Sequence, residues 1–518
     1  MCAAASRRES MRCLVLLAFA VSAGAQIQQA PPSSKNSTRP KEIQSLVDRA
    51  PIAPPELGSD ILLRLIESNR IIDRAWKIEL LEEAFQLAGK AKYPLPLPGA
   101  VPKASHADSD VAKLWLALDQ KLSGLALQSR AVRAMLATDQ NAALNLFFDM
   151  PLPQVPAVSC KDARGYDPTD YYVTLKEVAE RAFTVRERRE GKSFGLLERA
   201  IRSINSPFQI YPALELILDL RALPDDQFAA LVAAYSSALK QLNSEDRAFS
   251  ACTGYSLFER LIRLARICRE RDIPPYALID AFRSYFVKHM SGMRCAESVD
   301  AEGTGIILTR IGEMFNTQLR PFADDVPVID KDEIKPAGEG EAAKIFDYWE
   351  TPQTKSLLKH VAELAYGTEE ERAMYQKPHP PDEVHGPDLL PLEVRRKPEW
   401  EARAVAFLNE LEDWKKDQDQ TEANYFHQVC SLYTTLVQAI PPGPLRDRVL
   451  HSHILFLRVA LIKHDSPPEW YYQLHHMMNL SGDSPAERAH VCNEIRTNGD
   501  DVMALYADLN SFETSRTP

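Results

Sequence analysis

Residues 224–241, PDDQFAALVAAYSSALKQ, decide the fold class. Phe228, Leu231, Val232, Tyr235 and Leu239 recur at i, i+3, i+4, i+7 and i+11, which places them on one stripe of a helix with 3.6 residues per turn. The segment opens on Pro224-Asp225-Asp226, a helix-starting cluster whose carboxylates suit the positive end of the helix dipole. One amphipathic helix with a single buried face is predicted.

The same spacing extends outward over Leu62–Ala88, Val111–Met150, Phe194–Leu242 and Ser256–His289, each long enough for two or more helices. Ser206-Pro207, Thr351-Pro352, Ser466-Pro467 and Ser484-Pro485 each set a capping hydroxyl before a proline at the first helical position, where a missing N–H costs nothing. Ser466 with Glu469 and Ser484 with Glu487 also have the spacing of capping boxes. No run of alternating β-branched residues predicts a sheet. The expected fold is all-α: serial antiparallel helical hairpins, stacked as an α-solenoid or closed as a helical toroid, with no significant sheet. No fixed-period motif names the repeat as tetratricopeptide, ankyrin or HEAT.

Residues 1–25 have the layout of a signal peptide. Arg7, Arg8 and Arg12 precede an apolar run, Cys13–Ala23, and Ala23-Gly24-Ala25 supplies a small-residue cleavage site. Export to a periplasmic or extracellular setting follows, with cleavage near Ala25. Residues 26–58, rich in Pro, Ser and charge, read as a disordered tether with at most a short helix near Ile43–Arg49. Residues 59–325 form an expected N-terminal helical domain, 326–340 a linker and 341–515 a C-terminal helical domain. Long irregular segments interrupt the pattern at Tyr93–Asp108, Pro151–Pro168, Arg320–Gly340 and Gln376–Pro398. The longest apolar run beyond the signal, Ile454–Ile462, is about half of a membrane span. That run and the residues just before it read as a buried central helix.

The chain carries 61 basic and 72 acidic residues, a net charge of −11. Loss of residues 1–25 removes three Arg and one Glu, which moves it to −13. Such a balance argues against a nucleic-acid binder, which needs a basic face to neutralise phosphates. Six cysteines remain after cleavage, none in a C-x-x-C pair, so neither a zinc ribbon nor a thioredoxin-type redox pair is predicted. In an oxidising compartment Cys430 and Cys492 form the first disulfide candidate.

Three groups of residues could carry chemistry. Six of the twelve histidines lie between His451 and His490, yet no two have the i, i+3 or i+4 spacing of helical metal ligands. Glu487, His490 and Glu494 share one helical face, but a di-iron bundle needs two Glu-x-x-His copies and this chain shows one. His379, Asp382, Glu383 and His385 cluster in the loop 376–398, where they could hold a divalent metal if the loop folds over a cleft. Ordinary solvated or capping roles explain all three groups, so no metal and no cofactor is expected. Gly191-Lys192-Ser193 copies the end of a P-loop without its first glycine or its strand. Trp470, Tyr471 and Tyr472 point three ways on a helix and read as core.

The reading that joins these features is an exported, non-catalytic helical scaffold that binds a protein or peptide partner. The alternatives are a helical-toroid enzyme acting on glycan through paired carboxylates, or a metal-binding helical protein. Six tryptophans and 8 % aromatic residues are few for a cleft that stacks sugar rings.

Overall fold

A computed structural model describes residues 39–91, 101–102, 121–155, 157, 167–243, 246, 255–291, 309–333, 345–346, 351–375, 388–418, 420, 422–480 and 484–514. The expected signal peptide, residues 26–38 of the expected tether, and Cys160, Cys252 and Cys295 lie outside them. The described chain is all-helical. Its one strand pairing joins two residues, Val101–Pro102, in parallel to Ile345–Phe346.

The helices run, in order, α1 Lys41–Arg49, α2 Pro55–Glu67, α3 Arg74–Gly89, α4 Gly124–Leu136, α5 Gln140–Asp149, α6 Thr169–Arg181, α7 Val185–Arg189, α8 Lys192–Arg202, α9 Ile210–Asp219, α10 Asp225–Gln241, α11 Tyr255–Glu270 and α12 Tyr276–Ser291. After a helical run that ends in a π-helical turn at Phe315–Leu319 come α13 Pro352–Tyr366, α14 Glu369–Tyr375, α15 Leu392–Arg395, α16 Pro398–Asp413, α17 Glu422–Ala439, α18 Pro444–Val459, α19 Ile462–Asp465, α20 Pro467–Asn479, α21 Pro485–Asn498 and α22 Asp501–Thr514. The stripe that opened the sequence reading is α10, and Phe228, Leu231, Val232, Tyr235 and Leu239 are all buried there. Each such side chain contributes about 1.5–3 kcal/mol by leaving water.

Three of the four hydroxyl-proline starts cap as their sequence suggests. Ser206 completes a capping box with Gln209, Thr351 accepts from the Thr354 N–H, and Ser484 accepts from the Glu487 N–H. Ser466 caps nothing: its φ of −143° and ψ of 74° carry no side-chain bond, and Glu469 turns into the core instead.

Helices pack on their neighbours in the chain, and bonds between elements recur at one sequence separation. Thr174 donates to the Ser129 carbonyl 45 residues back, Arg260 pairs with Glu215 at 45, Lys288 donates to the Leu242 carbonyl at 46, and Arg395 donates to the Ala439 carbonyl at 44. His490 and Asp447 meet across 43 residues. Near these separations α6 meets α4, α11 meets α9, and α12 meets the end of α10.

The helical framework begins at Lys41, not at residue 59: Ile43, Leu46 and Val47 of α1 are buried, and α2 already starts at Pro55. Gly58 lets α2 approach the turn before it, since a Cβ there would stand 2.7 Å from the Ala50 carbonyl oxygen. The residues from Pro40 on form one compact unit around one continuous core. A seam joins the two ends of this unit. Arg49 pairs with Asp508 at 2.6 Å, Arg64 donates to Glu513 and to the Tyr471 hydroxyl at 2.8 Å each, and the Tyr506 hydroxyl donates to the Leu57 carbonyl at 3.4 Å. Behind these bonds Asp60 is buried between Arg130 at 2.7 Å and Arg64 at 3.6 Å.

Among the described residues no helix is long and apolar enough to cross a membrane. The apolar run Ile454–Ile462 is not one buried helix. It ends α18 at Val459, and Val459 and Leu461 stand 68 % and 60 % exposed.

Candidate functional site

The exposed valine and leucine form the mouth of an aromatic groove of about 310 Å³. Its walls come from four consecutive stretches: Leu411, Glu412, Trp414 and Lys415 at the end of α16, Tyr425, Phe426 and Tyr433 of α17, Phe456 and Val459 of α18, and Leu461 and Ile462 beyond it. The rings brace each other. Trp414 meets Tyr425 edge-on at 5.1 Å, Tyr425 meets Phe456 edge-on at 6.0 Å, and Phe426 stacks on Phe456 at 5.9 Å. Such pairs add about 0.5–1.5 kcal/mol each beyond their buried area. The Tyr425 hydroxyl donates to the Trp414 carbonyl at 2.9 Å, which fixes the α16–α17 connection. The Trp414 indole N–H is shut away from solvent without an acceptor. At the rim Glu412 already accepts from Ser452 at 2.6 Å, and Glu422 pairs with Lys416 at 2.6 Å.

Beneath the groove lies a polar layer that the sequence did not announce. His427 of α17 is fully buried, its Nε2 3.7 Å from the Glu469 carboxylate and its Nδ1 3.5 Å from the Gln473 amide, both on α20. His453 of α18 lies flat on the Tyr433 ring, 5.0 Å away and 11° from parallel. Neither of its ring nitrogens has a partner. Burial first, then the neighbouring His476, push its pKa down to about 3, so the ring stays neutral. Acid–base pairs of this kind mark active sites when substrate can reach them. None of His427, Glu469, Gln473 and His453 lines either of the two clefts described in this section.

The second cleft, about 490 Å³, straddles the seam. Residues 52–56 and Lys90 supply one wall, and Lys463, His464, Pro467 and residues 500–502 the other. Lys463 is nearly buried over the Trp470 ring, at 5.6 Å, and is ion-paired with Asp500.

The residues singled out from sequence are placed as follows. His379, Asp382, Glu383 and His385 lie outside the described residues. Glu487, His490 and Glu494 share α21, but each turns to its own partner: Glu487 to Arg446 at 2.9 Å, His490 to Asp447 at 2.9 Å, and Glu494 accepts from Asn498 at 3.0 Å. Among the described residues no group of three or more His, Cys, Asp or Glu converges as a metal site. Cys430 and Cys492 are buried free thiols and do not pair. Cys430 is buried within α17, while Cys492 on α21 faces the Asn510 amide at 3.5 Å. Trp470 and Tyr471 are core residues, Trp470 donating to the Leu457 carbonyl at 2.8 Å. Sequence reasoning missed the groove, the seam and the His427–Glu469 pair. The one legible signal was that the apolar run at 454–462 exceeds what a single buried helical face requires.

No protein-family profile, no curated protein and no solved structure matches this chain.

Proposed function

We propose that this chain is an exported, non-catalytic helical scaffold whose hairpins stack as a solenoid, and that its aromatic groove docks an apolar segment of a peptide or protein partner. The observation that carries the reading is the groove itself: a braced aromatic floor opening between Val459 and Leu461, two exposed aliphatic side chains. Burying them against a partner is favourable at about 25 cal/mol per Å² of apolar surface. Recurrent contacts some 45 residues apart support stacked hairpins, an architecture that commonly presents extended binding surfaces.

The test is peptide selection on the whole mature chain, followed by titration of enriched peptides against Val459→Glu and Leu461→Glu. Both side chains are exposed, so the variants keep the fold. The expected result is peptides with an aromatic or branched aliphatic anchor that bind each variant at least tenfold more weakly. Peptides that bind both variants as well as the parent overturn the reading.

A further inference from the structure

We infer that the seam cleft is a second site, built for a small zwitterion. Its volume of about 490 Å³ lies in the range of about 300–1,000 Å³ typical of ligand sites, and such sites favour places where separate parts of a fold meet. The lining sets the chemistry. Ile52, Ala53, Pro54, Pro55, Pro467 and Val502 make an apolar shell. Into it come cations and carboxylates from opposite ends of the folded unit, Lys90 on one wall and Asp501 on the other. Both are exposed, and neither has an ion-pair partner among the described residues. The Lys463–Asp500 pair lines the same cleft, held over Trp470 and by the N–H groups of Val502 and Met503, which Asp500 caps.

An anion alone in this cleft meets Lys90 but also the carboxylates of Glu56, Asp500 and Asp501, and a cation alone meets Lys90 and Lys463. A molecule with a carboxylate at one end and an ammonium at the other satisfies Lys90 and Asp501 together and leaves the Lys463–Asp500 pair intact. Each charge-assisted contact in a partly desolvated cleft outweighs its exposed counterpart. The two walls also belong to opposite ends of the unit, so a bound zwitterion ties α2 and α3 to α19 and α22. Ligand that binds only the closed seam stabilises it by mass action.

The probe is alanyl-alanine, titrated calorimetrically into the mature chain beside N-acetyl-alanyl-alanine, which lacks the ammonium, and alanyl-alaninamide, which lacks the carboxylate. The expected result is saturable binding of the zwitterion, with both blocked forms at least tenfold weaker. Lys90→Ala and Asp501→Ala, which break no bond of the seam, should each weaken it at least fivefold. Hydrogen exchange should slow at both 52–58 and 500–504 when the dipeptide is bound. No saturable binding of the dipeptide up to 10 mM overturns the proposal, as does equal affinity for the blocked forms or undiminished binding by both variants. The groove variants Val459→Glu and Leu461→Glu leave dipeptide binding unchanged, so this site and the peptide groove stand or fall separately.

Discussion

Replacing His453 by Phe should make the protein more stable, and increasingly so as the pH falls. The ring is 1 % exposed, stacked on Tyr433, and both of its nitrogens are unpartnered. A buried polar group without a partner costs about 1–3 kcal/mol, and Phe keeps the flat stacked shape while removing both nitrogens. Its larger ring gives back part of that gain through overpacking, so the expected net gain at pH 7.5 is about 1 kcal/mol. The pH dependence follows from linkage. The folded-state pKa is about 3 against an ordinary 6.5, so the unfolded chain takes up a proton that the folded chain refuses. Stability owed to the neutral ring is complete above pH 6.5, declines as the pH drops, and is gone below about pH 3. The slope is about 1.4 kcal/mol per pH unit, which amounts to about 2 kcal/mol by pH 5. Urea unfolding followed by far-ultraviolet circular dichroism at pH 7.5, 6.5, 5.5 and 5 measures the difference between parent and variant. That difference should widen from about 1 to about 3 kcal/mol across the series. A constant difference, or a variant less stable than the parent at pH 7.5, refutes the account of His453 as a neutral, unpartnered ring.

Two further outcomes test the seam and the thiols. Arg64→Met removes the bonds to Glu513 and Tyr471 while Asp60 keeps Arg130, so it should cost about 1–3 kcal/mol and speed hydrogen exchange in 41–67 and 501–514 but not in 225–241. Uniform exchange across all three segments would show that the seam does not open by itself. Alkylation of the denatured, unreduced chain should label Cys430 and Cys492 alike, and a disulfide-linked peptide joining them contradicts the buried free thiols.

How much of this was legible in the sequence depends on the range of the interaction. The stripe on α10 and the caps at Ser206, Thr351 and Ser484 could be read because the partners lie within one or two helical turns. Ser466 shows where that reasoning stops. Its spacing to Glu469 fits a capping box, but the carboxylate lies beside His427, 42 residues earlier in the chain. The tether reading allowed a short helix near residues 43–49, where α1 lies, but not α2, which opens on proline and charge and is buried against α3, α4 and α20.

By itself the sequence determined that this chain is helical, where most of its described helices lie, and which of their faces are apolar, because a 3.6-residue period and a cap are written in neighbouring residues. Only the tertiary structure decided that Arg64 meets Glu513 across 449 residues, that Val459 and Leu461 flank a groove instead of lying in a core, and that a mixed-charge cleft opens between the two ends. Contacts of that range leave no period in the sequence, because the residues that meet lie hundreds of positions apart and only packing brings their surfaces together.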